Sequence, residues 1–142
     1  MKEFYDQFFC ELNNDYSVII EDDGKVAYAY LLYHEEIIGN VWLYNQKKTP
    51  DNVDWSNEDL MPFLNPREFV RTELKPLTKR HKIELVWKVD NEPGFVSVCI
   101  YINDKMIAKM TDGSKPGWST IVLKDGPLAK IIRDKNTVNT VH

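Results

Sequence analysis

Acid–base chemistry has one candidate centre in this sequence, His34, because two carboxylates, Glu35 and Glu36, follow it directly. An imidazole beside a carboxylate is the arrangement from which a general base works near neutral pH. The same triplet is also typical of a solvent-exposed turn between two strands. A small enzyme that uses His34 and a nearby carboxylate is therefore the third of the three functional hypotheses that the sequence supports.

Metal, nucleotide and nucleophile motifs are missing from the sequence. The three His residues show neither H-x-x-x-H nor H-E-x-x-H spacing, and neither Cys10 nor Cys99 has a Cys or His neighbour at metal-ligating distance. The stretch 113–119 lacks the spacing of a phosphate-binding loop. We therefore expect no catalytic residue, no metal site and no cofactor, and we expect the chain to be non-enzymatic.

The charged residues are divided unevenly along the chain, whose net charge is −4. Residues 1–66 carry four Lys and no Arg against 13 Asp and Glu, whereas residues 67–142 carry 14 Lys and Arg against nine acids. The resulting charges of −9 and +5 indicate an electrostatic partner for the first part, unless the two parts interleave in the fold. Nucleic acid is an unsuitable partner because its binding needs a basic face.

A long acidic loop over residues 45–66 is the strongest candidate for a binding site. It has no hydrophobic period, and at about 20 residues it is long for a structureless connection, so it is either functional or contains a short helix. An exposed aromatic would bury area against a partner, and neighbouring carboxylates would steer a cationic surface toward it. The candidate contact residues are one Trp and four acids: Trp55, Asp51, Asp54, Glu58 and Asp59.

We therefore predict a small acidic protein-binding module that covers a basic site on a protein partner. An inhibitor or a toxin-neutralising protein of the immunity type would have this size and charge. Trp42 and Tyr44 form a second candidate contact set, because aromatic side chains with a polar tip are enriched at interfaces. The alternative hypothesis is a small-ligand pocket between a helix and the sheet, lined by Tyr28, Tyr30 and Trp87.

The elements that would position these residues indicate an α+β fold in a single domain, 1–142. Apolar side chains at Phe4, Phe8 and Leu12 predict an amphipathic N-terminal helix that covers the apolar strand 26–33. Asn65 and Pro66 predict the start of a middle helix near 66–75. A C-terminal helix is expected to begin near residue 125 and to end in a frayed tail, 136–142.

Alternating apolar residues predict an antiparallel sheet of about seven strands in two meanders, 16–44 and 82–123. No apolar run approaches the length of a membrane span, and the acidic N-terminus is unlike a signal peptide. Together with only two Cys residues, this predicts a cytoplasmic protein with no membrane partner. A homodimer through an exposed sheet edge is compatible with all three hypotheses.

Overall fold

The computed structural model describes residues 3–90 and 95–132, and over these ranges the protein is nearly all β. The first sheet is antiparallel, with four strands in chain order. They are β1 (Phe4–Phe9), β2 (Tyr16–Asp22), β3 (Val26–Tyr33) and β4 (Glu36–Asn45). The second sheet has five strands, also in chain order, and only its last pair is parallel. These are β5 (Ile83–Asp90), β6 (Phe95–Ile102), β7 (Lys105–Thr111), β8 (Trp118–Ser119) and β9 (Lys130–Ile131).

The predicted α+β class is wrong, because the described residues contain no helix beyond two three-residue 3-10 turns, Glu58–Leu60 and Arg67–Phe69. The predicted N-terminal helix is strand β1, which pairs along its whole length with β2. A spacing of four residues fits a strand as well as a helix, since it is a multiple of two. Phe4 and Phe8 therefore pack on the core from one face of a strand. Aromatic residues also favour strands intrinsically.

The predicted middle helix near 66–75 is also wrong beyond its first turn. The backbone N–H groups of Arg71 and Thr72 both donate to the carbonyl of Ile121, at 2.8 and 3.3 Å. Val70 forms an isolated bridge with Val122. The segment bonds to a neighbouring stretch of chain instead of to its own preceding turn, so a local start signal did not lead to a helix.

The predicted C-terminal helix is wrong where the structure describes it. Lys130–Ile131 forms the short parallel strand β9 beside β8. The remainder of that predicted helix, and the predicted frayed tail 136–142, lie outside the described residues.

The strands of the two predicted meanders are present, but they belong to two sheets instead of one. Their hairpin turns form where residues tolerate positive φ. Gly24 has φ of 92°, while Asn103 and Asp104 have φ of 50° and 69°. Local turn chemistry therefore fixes the strand boundaries in both meanders.

The two sheets share one hydrophobic core and are joined along β4. The N–H of Asn40 donates to the carbonyl of Ser114 at 2.9 Å, and that of Trp42 donates to Leu128 at 3.0 Å. A Cβ on Gly39 would lie 3.1 Å from the Thr111 carbonyl, so this face of the first sheet looks directly onto the second. We call it the inner face, and the opposite face of the first sheet the outer face.

The outer face is covered at one end by the long loop after β4, not by the predicted N-terminal helix. The Tyr28 hydroxyl on β3 donates to the carbonyl of Phe63 in the loop at 2.7 Å. The loop therefore covers the outer face of β3 at Tyr28, while its inner face packs in the core. Within residues 3–90 and 95–132, no helix has the length and apolar character needed to cross a bilayer.

Candidate functional site

The long loop is held against the first sheet by side chains at both of its ends. Asn45, at the end of β4, accepts from the Asn65 N–H through Oδ1 and donates to the Asn65 carbonyl through Nδ2, both at 2.8 Å. Arg67 contacts the Asp51 carboxylate at 2.9 Å, and its N–H donates to the Pro50 carbonyl at 2.8 Å. The loop is thus closed by these contacts and presents a defined surface.

The middle of the loop is fixed from the β2–β3 turn. The ammonium of Lys25 donates to the carbonyl of Leu60 at 2.8 Å, within the first 3-10 turn. The side chain of Asn57 caps this turn by accepting from the N–H of Asp59 at 3.0 Å. The turn therefore has a defined position over the sheet despite its three-residue length.

Trp55 lies at the edge of an apolar hollow in this loop. Its ring is 39% exposed and meets the Phe63 ring edge-on, with the ring centroids 5.2 Å apart. The hollow has a volume of about 220 Å³. Its walls are mainly apolar: five apolar residues line it together with Lys25, Asn52 and Asp54, namely Pro50, Val53, Leu60, Phe63 and Leu64.

Two further apolar side chains of the same loop are exposed. Leu60 is 41% and Met61 is 59% exposed. We define the loop surface as Trp55, Leu60, Met61 and the hollow. An apolar patch of this kind on a polar surface is typical of a site that binds another molecule.

Three of the four predicted acids stand around the loop surface without a cation bonded to them in the described part of the chain. Asp54, Glu58 and Asp59 are exposed, whereas Asp51 is engaged with Arg67. The hydroxyl and then the N–H of Ser56 donate to Asp54 and lower the pKa of its carboxyl. Asp54 therefore carries its negative charge throughout the neutral range.

Trp42 and Tyr44 do not belong to this surface, since each is only 1% exposed. The indole N–H of Trp42 donates to Asn45 at 2.9 Å, beneath the loop. The Tyr44 hydroxyl donates to the buried carboxylate of Asp22 at 2.7 Å and accepts from the N–H of Leu77 at 2.8 Å. Burial, together with Asp22, raises the pKa of Tyr44, although the Leu77 N–H lowers it. Both aromatics serve the packing of the core.

The alternative ligand pocket loses the helix on which it depended. Tyr28 and Tyr30 stack on each other on the outer face, with centroids 6.1 Å apart. Burial raises the pKa of both hydroxyls, and the loop covers that of Tyr28. Trp87 lies on β5, in the other sheet. The three side chains thus do not line a pocket between a helix and a sheet.

His34 stands in the exposed two-residue turn between β3 and β4, with φ of 54°. Its Nδ1 lies 3.9 Å from the carboxylate of Asp15, beyond hydrogen-bond reach, and both side chains are largely exposed. The ring packs instead against Tyr33, at a centroid distance of 4.4 Å. Over the described ranges, no three His, Cys, Asp or Glu side chains lie close enough to hold a metal ion.

The sequence analysis missed the uncovered end of the outer face. Phe9 is 60% exposed there and lines an open depression together with Gln7, Ile19 and Leu32. Ile37, the strand partner of Leu32, is also exposed. We define these five residues as the open sheet face. The sequence of β1, FYDQFF, has no clear alternation, and its helical interpretation hid this face.

Comparisons with protein families, with curated proteins and with solved structures find no match for this chain. They lend no support to an inhibitory or immunity-type role. The geometry of the surface is therefore the basis for any functional assignment.

Proposed function

We propose that this protein is a small acidic protein-binding module whose loop surface docks onto a basic region of a protein partner. The observation that carries the proposal is the partly exposed Trp55 beside an apolar hollow, surrounded by carboxylates that no described cation neutralises. An aromatic anchor within a polar rim is the composition that interfaces favour at their energetic centre.

The separation of charge supports a basic partner. Four ion pairs of Lys or Arg form among the described residues, and only the one between Arg67 and Asp51 joins residues 1–66 to the later part of the chain. The remaining acids of the first part therefore keep an uncompensated field. Such a field speeds the encounter with a cationic surface and weakens as salt is added.

The fixed position of the loop supports binding rather than a purely structural role. A loop that is already ordered loses little conformational entropy when a partner docks on it. The same proposal places the protein in the cytoplasm, in keeping with its two free thiols, Cys10 and Cys99. A homodimer through a sheet edge stays a prediction.

Affinity capture from the native host, with matched variants, tests this proposal. The wild-type protein, Trp55→Ala and a triple variant (Asp54→Asn, Glu58→Gln, Asp59→Asn) serve as baits, each at low and at high salt. We expect a basic protein that the wild type retains at low salt and that both variants lose. Leu123→Ala, an exposed apolar residue outside the loop, is the control. Equal capture by all four baits would refute the role of the loop surface.

A further inference from the structure

We propose that the open sheet face is a second docking surface, which accepts a cationic amphipathic helix of a protein partner. It lies on the first sheet, apart from the loop surface, and it does not depend on the function proposed above. The proposal follows from three features of the open sheet face: its apolar side chains share one side of the sheet, the long loop bonds to a different row, and the charges around the face are mostly negative.

The strand register places the apolar side chains on one face. One row across β1–β4 runs through Phe9, Ser17, Leu32 and Ile37, and the next begins with Gln7 and Ile19. The Gln7 amide donates to the Ser17 hydroxyl at 3.1 Å, so the two rows meet on the same side of the sheet. Phe9 and Ile37 are exposed at the two ends of the first row, whereas Ser17 and Leu32 between them are buried.

The long loop bonds to the outer face in the third row. Its Phe63 carbonyl accepts from the hydroxyl of Tyr28, and Trp42 of the same row donates to Asn45 at the end of β4. Four strands spaced by about 4.8 Å span roughly 14 Å. That width accommodates one α-helix, whose diameter with side chains is about 10–12 Å.

The charges around the open sheet face are nearly all negative. Asp15 and Glu35 line the depression. Glu21 and Asp23 lie close enough to Tyr30, in the second row, for their negative charges to add to the effect of burial in raising the pKa of its hydroxyl. Lys25 is the only Lys or Arg in residues 3–46, and it is bonded to the carbonyl of Leu60. An apolar face with an acidic border is complementary to a helix that carries Leu-type residues on one side and Lys or Arg beside them.

A synthetic peptide tests this inference without knowledge of the natural partner. The probe is a fluorescein-labelled amphipathic peptide of Leu and Lys, and the control peptide has the same composition in an order that gives no apolar face. Fluorescence anisotropy measures binding to the wild type and to Phe9→Ser, a double variant (Asp15→Asn, Glu35→Gln), Trp55→Ala and Val86→Ser. Val86 is the matched control, an exposed apolar residue on the second sheet.

We expect Phe9→Ser to raise the Kd for the amphipathic peptide about tenfold or more. The double variant should raise it at low salt and have less effect at high salt, while Trp55→Ala and Val86→Ser leave it within about twofold. Three results would overturn the inference: no binding by the wild type, equal binding of the control peptide, or equal losses in Val86→Ser and Phe9→Ser. A loss confined to Trp55→Ala would also overturn it, and would place the peptide on the loop surface instead.

Discussion

Trp55 is the residue whose environment distinguishes a binding role from a packing role. Its ring meets Phe63 edge-on and Trp55 is 39% exposed, whereas Trp42 is 1% exposed, so Trp55 contributes less to the core than Trp42 does. A side chain in this position has enough contact to be held in place and enough free surface to meet a partner.

Replacement of Trp55 by Ala should therefore weaken partner binding more than it weakens the fold. We expect a loss of about 2 kcal/mol or more in binding free energy, typical of an aromatic anchor. The free energy of unfolding should fall by about 1 kcal/mol, since only part of the ring is buried. Calorimetry with the captured partner and urea unfolding measure the two quantities. A fall in stability that exceeds the loss in binding would identify Trp55 as a packing residue.

Whether an individual aromatic side chain is buried or exposed could be predicted from the sequence only in part. Tyr44 has the composition of an interface residue, but Asp22, 22 positions away, receives its hydroxyl in the core. Trp42 is likewise satisfied by Asn45 under the loop. Aromatic residues with a polar tip suit both environments, and for Tyr44 the partner that decides between them lies 22 positions away.

Tyr28 makes a pH-dependent contribution to stability. Burial, aided by Tyr30 and Asp23, raises the pKa of its hydroxyl above the ordinary value of 10.0. The unfolded chain therefore releases this proton at lower pH than the folded one. The contribution is fully present below pH 10.0 and is lost as pH rises from there through the folded-state pKa.

Tyr28→Phe should flatten the decline of stability above about pH 10, because Phe has no proton to release. At pH 8 it should cost about 1 kcal/mol, the typical value of the lost hydrogen bond to Phe63. Urea unfolding from pH 8 to pH 11 measures both effects. Tyr5→Phe, at an exposed position, is the control. An unchanged alkaline decline in Tyr28→Phe would show that other groups cause it.

Among the elements, the long loop depends on Asn45 for its position. Its amide oxygen accepts from the indole N–H of Trp42 and from the backbone N–H of Asn65. Its amide nitrogen donates to the Asn65 carbonyl and the Thr49 hydroxyl, and the four distances are 2.8 to 3.2 Å. Since Asn65 and Thr49 are buried, loss of the amide would leave polar groups without partners away from water.

Asn45→Ala should lower the free energy of unfolding by about 2 kcal/mol. It should also increase protease cleavage within residues 46–66 before it affects the sheets, because the loop opens locally. Limited proteolysis with mass spectrometry, together with urea unfolding, measures both. Asn14→Ala, at an exposed position, should change stability by less than about 0.5 kcal/mol. Cleavage that remains at the wild-type rate would mean that other contacts hold the loop.

The strands and the helices differed in how well local sequence predicted them. β5 alternates strictly between half-buried and exposed residues, and the turn between β6 and β7 contains Asn103 and Asp104, which tolerate positive φ. The N-terminal segment and the segment after Pro66 carried helix-compatible spacing and a helix start signal. Their backbone groups nevertheless bond to β2 and to residue 121, partners that a local pattern does not specify.

At the scale of the whole molecule, the two parts of the chain with unequal charges form separate sheets. The sequence alone left open whether the two parts interleave. In the described fold each part builds its own sheet, and the ion pairs of Lys82 and Lys124 lie within the later part of the chain. Composition indicated the asymmetry, and topology preserved it.

The most direct test of the central claim is a hydrogen–deuterium exchange footprint of the captured basic partner on this protein. Binding through the loop surface should slow exchange of the backbone amides in residues 51–63. Exchange in β5 and β6 of the second sheet should remain at the rate of the free protein. Slower exchange confined to the second sheet, with residues 51–63 unchanged, would contradict the assignment of the loop surface as the binding site.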